Sequence, residues 1–176
     1  NAKKVAAEVL IVDSGSTDKT VQLAEENGAK VVYRAWDNDF AAQRNFALQH
    51  VKTEWVLYLD ADERMNDELL ASVKSVVEQG KTCQYSFKRK SVAFGQEFNY
   101  GVLKPDFVQR LFKTKNVHWV NKVHEKPVCD DGLKVLNDYV RHYTYNSREQ
   151  WLAKFNQYTT IWAYDALKKK KKSTYL

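Results

Sequence analysis

The stretch AEVLIVDSGSTDKTVQLAEENGAKVVYRA constrains the fold of this chain more than any other, because it reads as strand, turn, helix and strand in immediate succession. Val9–Val12 is a continuous apolar run, the pattern of a strand covered on both faces. Ser14–Thr17 is a turn, and Ser16, Thr17 or Asp18 is placed to cap a helix whose apolar positions include Val21 and Ala24. Gly28 is a natural stop, and Val31–Tyr33 resumes strand character. The alternation continues. NDFAAQRNFALQHV predicts a helix with Phe40, Ala47 and Val51 on one face, and EWVLYL predicts a strand. NDELLASVKSVVEQG predicts a helix built on Leu69, Val73, Val76 and Val77 and ended by Gly80. This spacing argues for an α/β fold with a mostly parallel central sheet flanked by helices. Ligands of such sheets sit beyond the C-terminal strand ends, where Asp13 and Asp60–Asp62 both fall.

After Gly80 the pattern changes. CQYSFKRKSVAFGQEFNY alternates like a hairpin, and FVQRLFK and VHWVNKVHEKPV read as short strands with irregular connections. SREQWLAKFNQYTTIWAYDALKKK returns to helix, with Ser147 and Gln150 as a capping box and Trp151, Phe155, Tyr158 and Trp162 forming a stripe. That stripe suits either a helix seated on its own domain or a partner or membrane face. The organisation expected is one catalytic domain over 1–167, with a nucleotide-binding half at 1–80 and an acceptor-side half at 81–167, followed by a basic tail at 168–176.

The net charge of +6 lies in that tail, because Lys168–Lys172 holds five basic residues and no acid. Without the run the body is within one charge of neutrality, so there is no broad basic track for nucleic acid. The tail suits attraction to an anionic membrane surface at about 1 kcal/mol per lysine, or a solvated helix end where lysine is favourable anyway. No apolar run reaches the roughly 18 residues that span a bilayer, and no signal peptide is visible. Cys83 and Cys129 match no metal motif and read as reduced thiols, which points to a cytoplasmic setting.

The chemistry concentrates in EWVLYLDADERM. Asp60, Asp62 and Glu63 crowd together, an arrangement that calls for positive charge among them. In an extended segment Asp60 and Asp62 point the same way across Ala61, so both carboxylates address one ligand. Mg²⁺ or Mn²⁺ suits such a site, because protein and phosphate oxygens share its shell and a neutralised diphosphate leaves more readily. Capping of the following helix is the competing role for Asp62. Arg44, in the second helix, is either a flank ion pair or a planar fork gripping a phosphate.

VLIVDSGSTDKTVQLAEENGAKV, AAQRNFAL and WVLYLDADE together resemble the nucleotide-sugar-binding half of the family 2 inverting glycosyltransferases. The later QRLFK, VHWVNKVHEKPV and RHYTY resemble the branch that adds glucose to the inner core of bacterial lipopolysaccharide or lipooligosaccharide. The motifs run through nearly the whole chain in family order. The resemblance implies a GT-A type fold, truncated at both ends here, because family members begin with a strand, loop and helix ahead of VDSGSTD and continue past the basic run.

Several roles follow from the resemblance. Asp13 matches the acid that recognises the donor's uracil, Asp60 the ribose-side acid, and Asp62 the metal ligand of the D-x-D pair. Arg44 matches a basic residue near the donor phosphates, and Arg110 and His142 fall at phosphate-side and metal-side positions. Glu125 lies where the branch has its candidate general base, with His124 beside it to orient it or touch acceptor. Inversion needs a carboxylate across the sugar from the leaving diphosphate to take the acceptor's proton. The implied activity is metal-dependent transfer of glucose from UDP-glucose to the inner-core heptose, at the inner face of a bacterial inner membrane.

Two other readings stay open. VLYLDAD also opens phosphatases with an aspartyl nucleophile, although here ERM starts a helix where those enzymes place turn residues. The aromatic content and basic tail also fit a non-enzymatic carbohydrate or membrane-surface binding module.

Overall fold

The computed structural model describes residues 1–122, 124–130 and 132–168, apart from the side chains of Asp165 and Lys168. The tail expected at 168–176 therefore lies outside the described residues beyond its first position.

The first unit forms as its sequence requires. β1 (Leu10–Asp13) pairs in parallel with β2 (Lys30–Tyr33), and α1 (Thr20–Glu26) connects them. The Asp18 carboxylate accepts from the Thr20 amide at 2.9 Å, closing the first turn of α1. Gly28, at φ 70°, reverses the chain after the helix, a left-handed conformation that glycine adopts without a Cβ penalty. α2 (Phe40–Gln49) starts at Asp39, whose side chain accepts from the Ala42 amide.

β3 (Trp55–Leu57) is shorter than EWVLYL suggested, and its backbone bonds go to β7 (Asp106–Lys113). α3 (Asp67–Gln79) ends at Gly80 in the left-handed region, as expected. Its cap is Asn66, however, which accepts from the Leu69 amide at 3.1 Å. Two expectations are corrected here. Asp62 does not cap the helix, and Glu63–Met65 is not its start but β4, antiparallel to β10 (Leu133–Tyr145). The reason is burial: Glu63 and Met65 point inward while Arg64 points out, the alternation of a strand.

The larger sheet has the order β3-β7-β5-β10-β4, where β5 (Gln84–Ala93) also pairs with the short β6 (Gln96–Glu97). The architecture is the expected α/β one, a central sheet flanked by helices. The expectation of a mostly parallel sheet is corrected, however. Among the described residues only β1–β2 and β5–β10 are parallel, and the other pairs are antiparallel. The reason is that β1 and β3 do not join one sheet, and the strands after Gly80 pair mainly with antiparallel neighbours. β8 (Val117–Val120) and β9 (Lys126–Cys129) form a separate hairpin. β1 and β3 do not share a sheet; an open, apolar-walled cleft lies between them, lined by Leu10, Val12, Trp55 and Leu57.

Two cores hold these layers. One packs Leu69, Leu70 and Val73 of α3 against Tyr85, Phe87, Leu111 and Val140 of the sheet. The other packs Ala41 of α2 and Tyr58 against Phe112, Val117 and Trp119, which seats the hairpin on α2. α4 (Arg148–Lys168) begins with the expected capping box, since Ser147 accepts from the Gln150 amide and Gln150 accepts from the Asn146 amide. Its aromatic stripe is largely exposed: Trp151, Phe155 and Trp162 face outward, and Tyr158, though also exposed, lines the cleft.

Candidate active site

The cleft between β1 and β3, about 1580 Å³, runs from its apolar walls to a charged floor where Arg44, Asp60, Asp62, Glu125 and His142 meet. The positive partners demanded by the crowded acids are two arginines. Arg44, from the middle of α2, donates through Nη2 to Asp60 Oδ1 at 2.9 Å and through Nε to Glu125 Oε1 at 3.0 Å. Its guanidinium lies 4.7 Å from the Trp119 ring centroid and 5.7 Å from that of Tyr58, an aromatic seat that fixes its plane. Arg110, on β7, donates through Nη2 to Asp60 Oδ2 and to Glu63 Oε1, the latter at 3.1 Å. Glu63 is fully buried, and its Oε2 accepts from the Asp60 amide at 3.0 Å.

Each residue arrives there for a local reason. Asp60 and Asp62 lie in the turn between β3 and β4, where the Glu63 amide donates to the Asp60 carbonyl at 2.9 Å. Arg110 lies in the continuously buried run Arg110–Phe112 of β7, and burial of its guanidinium is offset by the paired carboxylates of Asp60 and Glu63. Glu125 sits in the loop between β8 and β9, a loop tied to α2 by the Phe40 amide donating to the Lys122 carbonyl at 2.9 Å. Asn121 and His124 in this loop take φ of 70° and 54°, which is uncommon for non-glycine residues and typical of functional turns.

Asp62 forms a second pair. Its Oδ2 lies 3.3 Å from His142 Nε2 on β10 and 3.8 Å from Lys154 Nζ on α4. Burial pushes both Asp60 and Asp62 toward protonation, but their partners outweigh it. Arg110 and Arg44 hold Asp60 below the usual carboxylate range, and His142 with Lys154 does so for Asp62. For Arg110, burial opposes the charge, and Asp60 and Glu63 more than restore it.

Asp62 supplies a hard oxygen donor of the kind Mn²⁺ and Mg²⁺ take, and His142 an imidazole that Mn²⁺ accepts more readily than Mg²⁺. Either ion would need phosphate and water oxygens for its remaining positions. Among the described residues there is no group of three or more His, Cys, Asp or Glu side chains arranged to hold a metal without such help.

Asp13 stands apart. It ends β1 as expected, but its carboxylate is turned into its own loop, accepting from the Gly15 amide at 2.7 Å, the Ser16 amide at 3.0 Å and the Ser16 hydroxyl. Those bonds, led by the Ser16 hydroxyl, hold it below its ordinary pKa. The loop reaches the site through Ser14, which accepts from Gln43 beside Arg44. The structure thus brings Arg44, Asp60, Arg110 and Glu125 into one network and Asp62 with His142 beside it, while Asp13 shapes a neighbouring turn. An aspartyl-nucleophile reading fits poorly, since both oxygens of Asp60 are held by guanidiniums.

Trp119, Lys154 and Tyr158 belong to the site or its support and were not singled out for it in the sequence. Glu63 was one of the crowded acids, but its full burial against Arg110 was not expected. Nothing local marks Lys154 for the site, and Tyr158 reads in the sequence only as part of the aromatic stripe; both reach the cleft from α4.

The family model described as Glycosyl transferase family 2 matches residues 2–137. Among curated relatives, a Rickettsia bellii protein described as an uncharacterized glycosyltransferase is 32% identical, over 98% of this chain and 63% of its own length. A Rickettsia felis counterpart is 29% identical, over 98% of this chain and 65% of its own length. The chain thus spans less than two thirds of the relatives it matches. Among solved structures, S. aureus TarS matches with a TM-score of 0.54 at 17% identity, covering 77% of this chain and 30% of TarS. TarS 1–349 in complex with UDP matches with a TM-score of 0.51 at 18% identity, covering 82% of this chain and 52% of that one. These likenesses bear out the GT-A type of fold.

Proposed function

The chain belongs to glycosyl transferase family 2, and on that premise we propose that it transfers a sugar, glucose, from a UDP-sugar to the inner-core heptose of lipopolysaccharide or lipooligosaccharide with inversion. The observation that supports this best is the single guanidinium of Arg44, which joins Asp60 to Glu125 at the floor of the cleft. One carboxylate comes from the half expected to bind donor and the other from the half expected to bind acceptor. The Arg44 clasp sets the spacing between them.

In this reading the donor lies along the floor with its ribose at Asp60. Arg44 and Arg110 offset the charge of the diphosphate, and the turn organised by Asp13 receives the uracil. Asp62 and His142 would hold Mg²⁺ or Mn²⁺, which supplies neutralisation of the diphosphate when bound. Glu125 takes the proton of the acceptor hydroxyl as its oxygen bonds to the anomeric carbon. The bond from that carbon to the diphosphate breaks, and its electron pair leaves with UDP. The aromatic face of α4 and the lysines after it lead us to place the protein at an anionic membrane surface, on the cytoplasmic side.

The test is transfer from a panel of UDP-sugars to deacylated lipopolysaccharide core, with and without Mn²⁺, for the wild type, Glu125→Gln and Asp62→Asn. Glu125→Gln is expected to cut transfer by roughly 10²–10⁴ fold with UDP affinity retained. Asp62→Asn is expected to abolish the gain in UDP affinity that Mn²⁺ provides. Acceptor binding without any donor turnover would sink the reading in favour of a binding module.

A further inference from the structure

Cys83 and Cys129 lie 46 positions apart, yet their Sγ atoms are only 2.8 Å from each other. Cys83 immediately precedes β5 and is buried, with its carbonyl accepting from the Lys113 amide at 2.8 Å. Cys129 ends β9 opposite Val117 and is half-buried, packed against the core of Tyr58, Phe112 and Trp119. The two sulfurs are already closer than non-bonded sulfurs normally approach, and a bond of about 2.0 Å needs only a small further displacement. Cys129 lies in the hairpin, whereas Cys83 leads directly into β5 of the central sheet. A bond between them joins the β8–β9 hairpin, whose loop carries His124 and Glu125, to the central sheet.

We propose that Cys83 and Cys129 are an oxidisable pair that closes to an intramolecular disulfide on meeting a small-molecule disulfide such as oxidised glutathione. Their unequal burial sets the order of events. The Cys129 thiolate attacks one sulfur of glutathione disulfide and releases the first glutathione as thiolate, leaving a mixed disulfide on Cys129. Cys83 then gives up its proton, its sulfur attacks Cys129 Sγ, and the second glutathione departs with the bonding electrons. Two protein thiols are oxidised and one glutathione disulfide is reduced to two glutathiones. This pairing is independent of the sugar-transfer reading, because it rests on the two thiols alone.

The test is intact-mass and peptide mapping of the chain after incubation with oxidised glutathione, followed by alkylation under denaturing conditions. The expected product is a monomer lighter by two hydrogen atoms, not alkylated at either cysteine, that yields a peptide linking Cys83 to Cys129. Cys83→Ser should stop at the glutathione adduct on Cys129, and Cys129→Ser should leave Cys83 unmodified in the folded protein. A wild-type product that keeps glutathione attached, forms disulfide-linked dimers, or remains fully alkylated at both positions would overturn the proposal.

Discussion

At the scale of single residues, Arg110 decides more than its position suggests. It is 5% exposed and is the cation that faces the fully buried Glu63. Arg110→Met should therefore destabilise the fold by about 3–5 kcal/mol, since it leaves a buried carboxylate without compensation. Adding Glu63→Gln should recover much of that loss, and urea unfolding of both variants measures it. The depressed acids make a second prediction. A folded pKa below the unfolded one contributes stability that is whole above about pH 4 and is lost as pH falls through the folded value. Stability should thus decline on acidification below about pH 4, and Asp60→Asn should flatten that dependence. The readout is the slope of the urea midpoint against pH. Arg110 was legible as a charged residue in the apolar run of FVQRLFK. Its pairing with Glu63 was not, because the two are 47 positions apart and only the sheet brings them together.

At the scale of elements, the hairpin that carries Glu125 is held to α2 by a reciprocal pair. Asn45 donates to the Trp119 carbonyl at 2.8 Å and accepts from the Trp119 amide at 2.8 Å. Asn45→Ala should cost about 1–3 kcal/mol, because it leaves backbone groups of β8 unsatisfied. It should also speed amide exchange across Val117–Val120 while leaving α3 and β5 protected, which exchange mapped by mass spectrometry checks. The helices were legible because their caps and stops are local: Gly80 ended α3 and Ser147 opened α4 as their types require. β10 was not read as the longest strand, because Asn137 and Asp138 interrupt its alternation. In the structure they occupy a register shift between Leu136 and Tyr139, where Asp138 accepts from the Ser72 hydroxyl of α3. Glu63–Met65 was misread as helix because three residues are too few to display a period.

At the scale of the whole molecule, no helix of the described residues is long and apolar enough to cross a membrane. α4 nevertheless presents Trp151, Leu152, Phe155, Trp162 and Leu167 to the outside, and the lysine run follows it. Deleting residues 168–176 should weaken sedimentation with anionic vesicles and remove its salt sensitivity, each lysine contributing about 1 kcal/mol. Turnover on a soluble acceptor should stay near that of the intact chain. The floor of the cleft has a further consequence, in time. Its ion pairs close loops of 81 residues between Arg44 and Glu125 and of 50 between Asp60 and Arg110, whereas the helices form from neighbours. Distant closures come late in folding because chain entropy must be lost before they are rewarded. A newly made chain is therefore expected to form its helices before the charged floor assembles, with docking of the hairpin that carries Glu125 among the late steps.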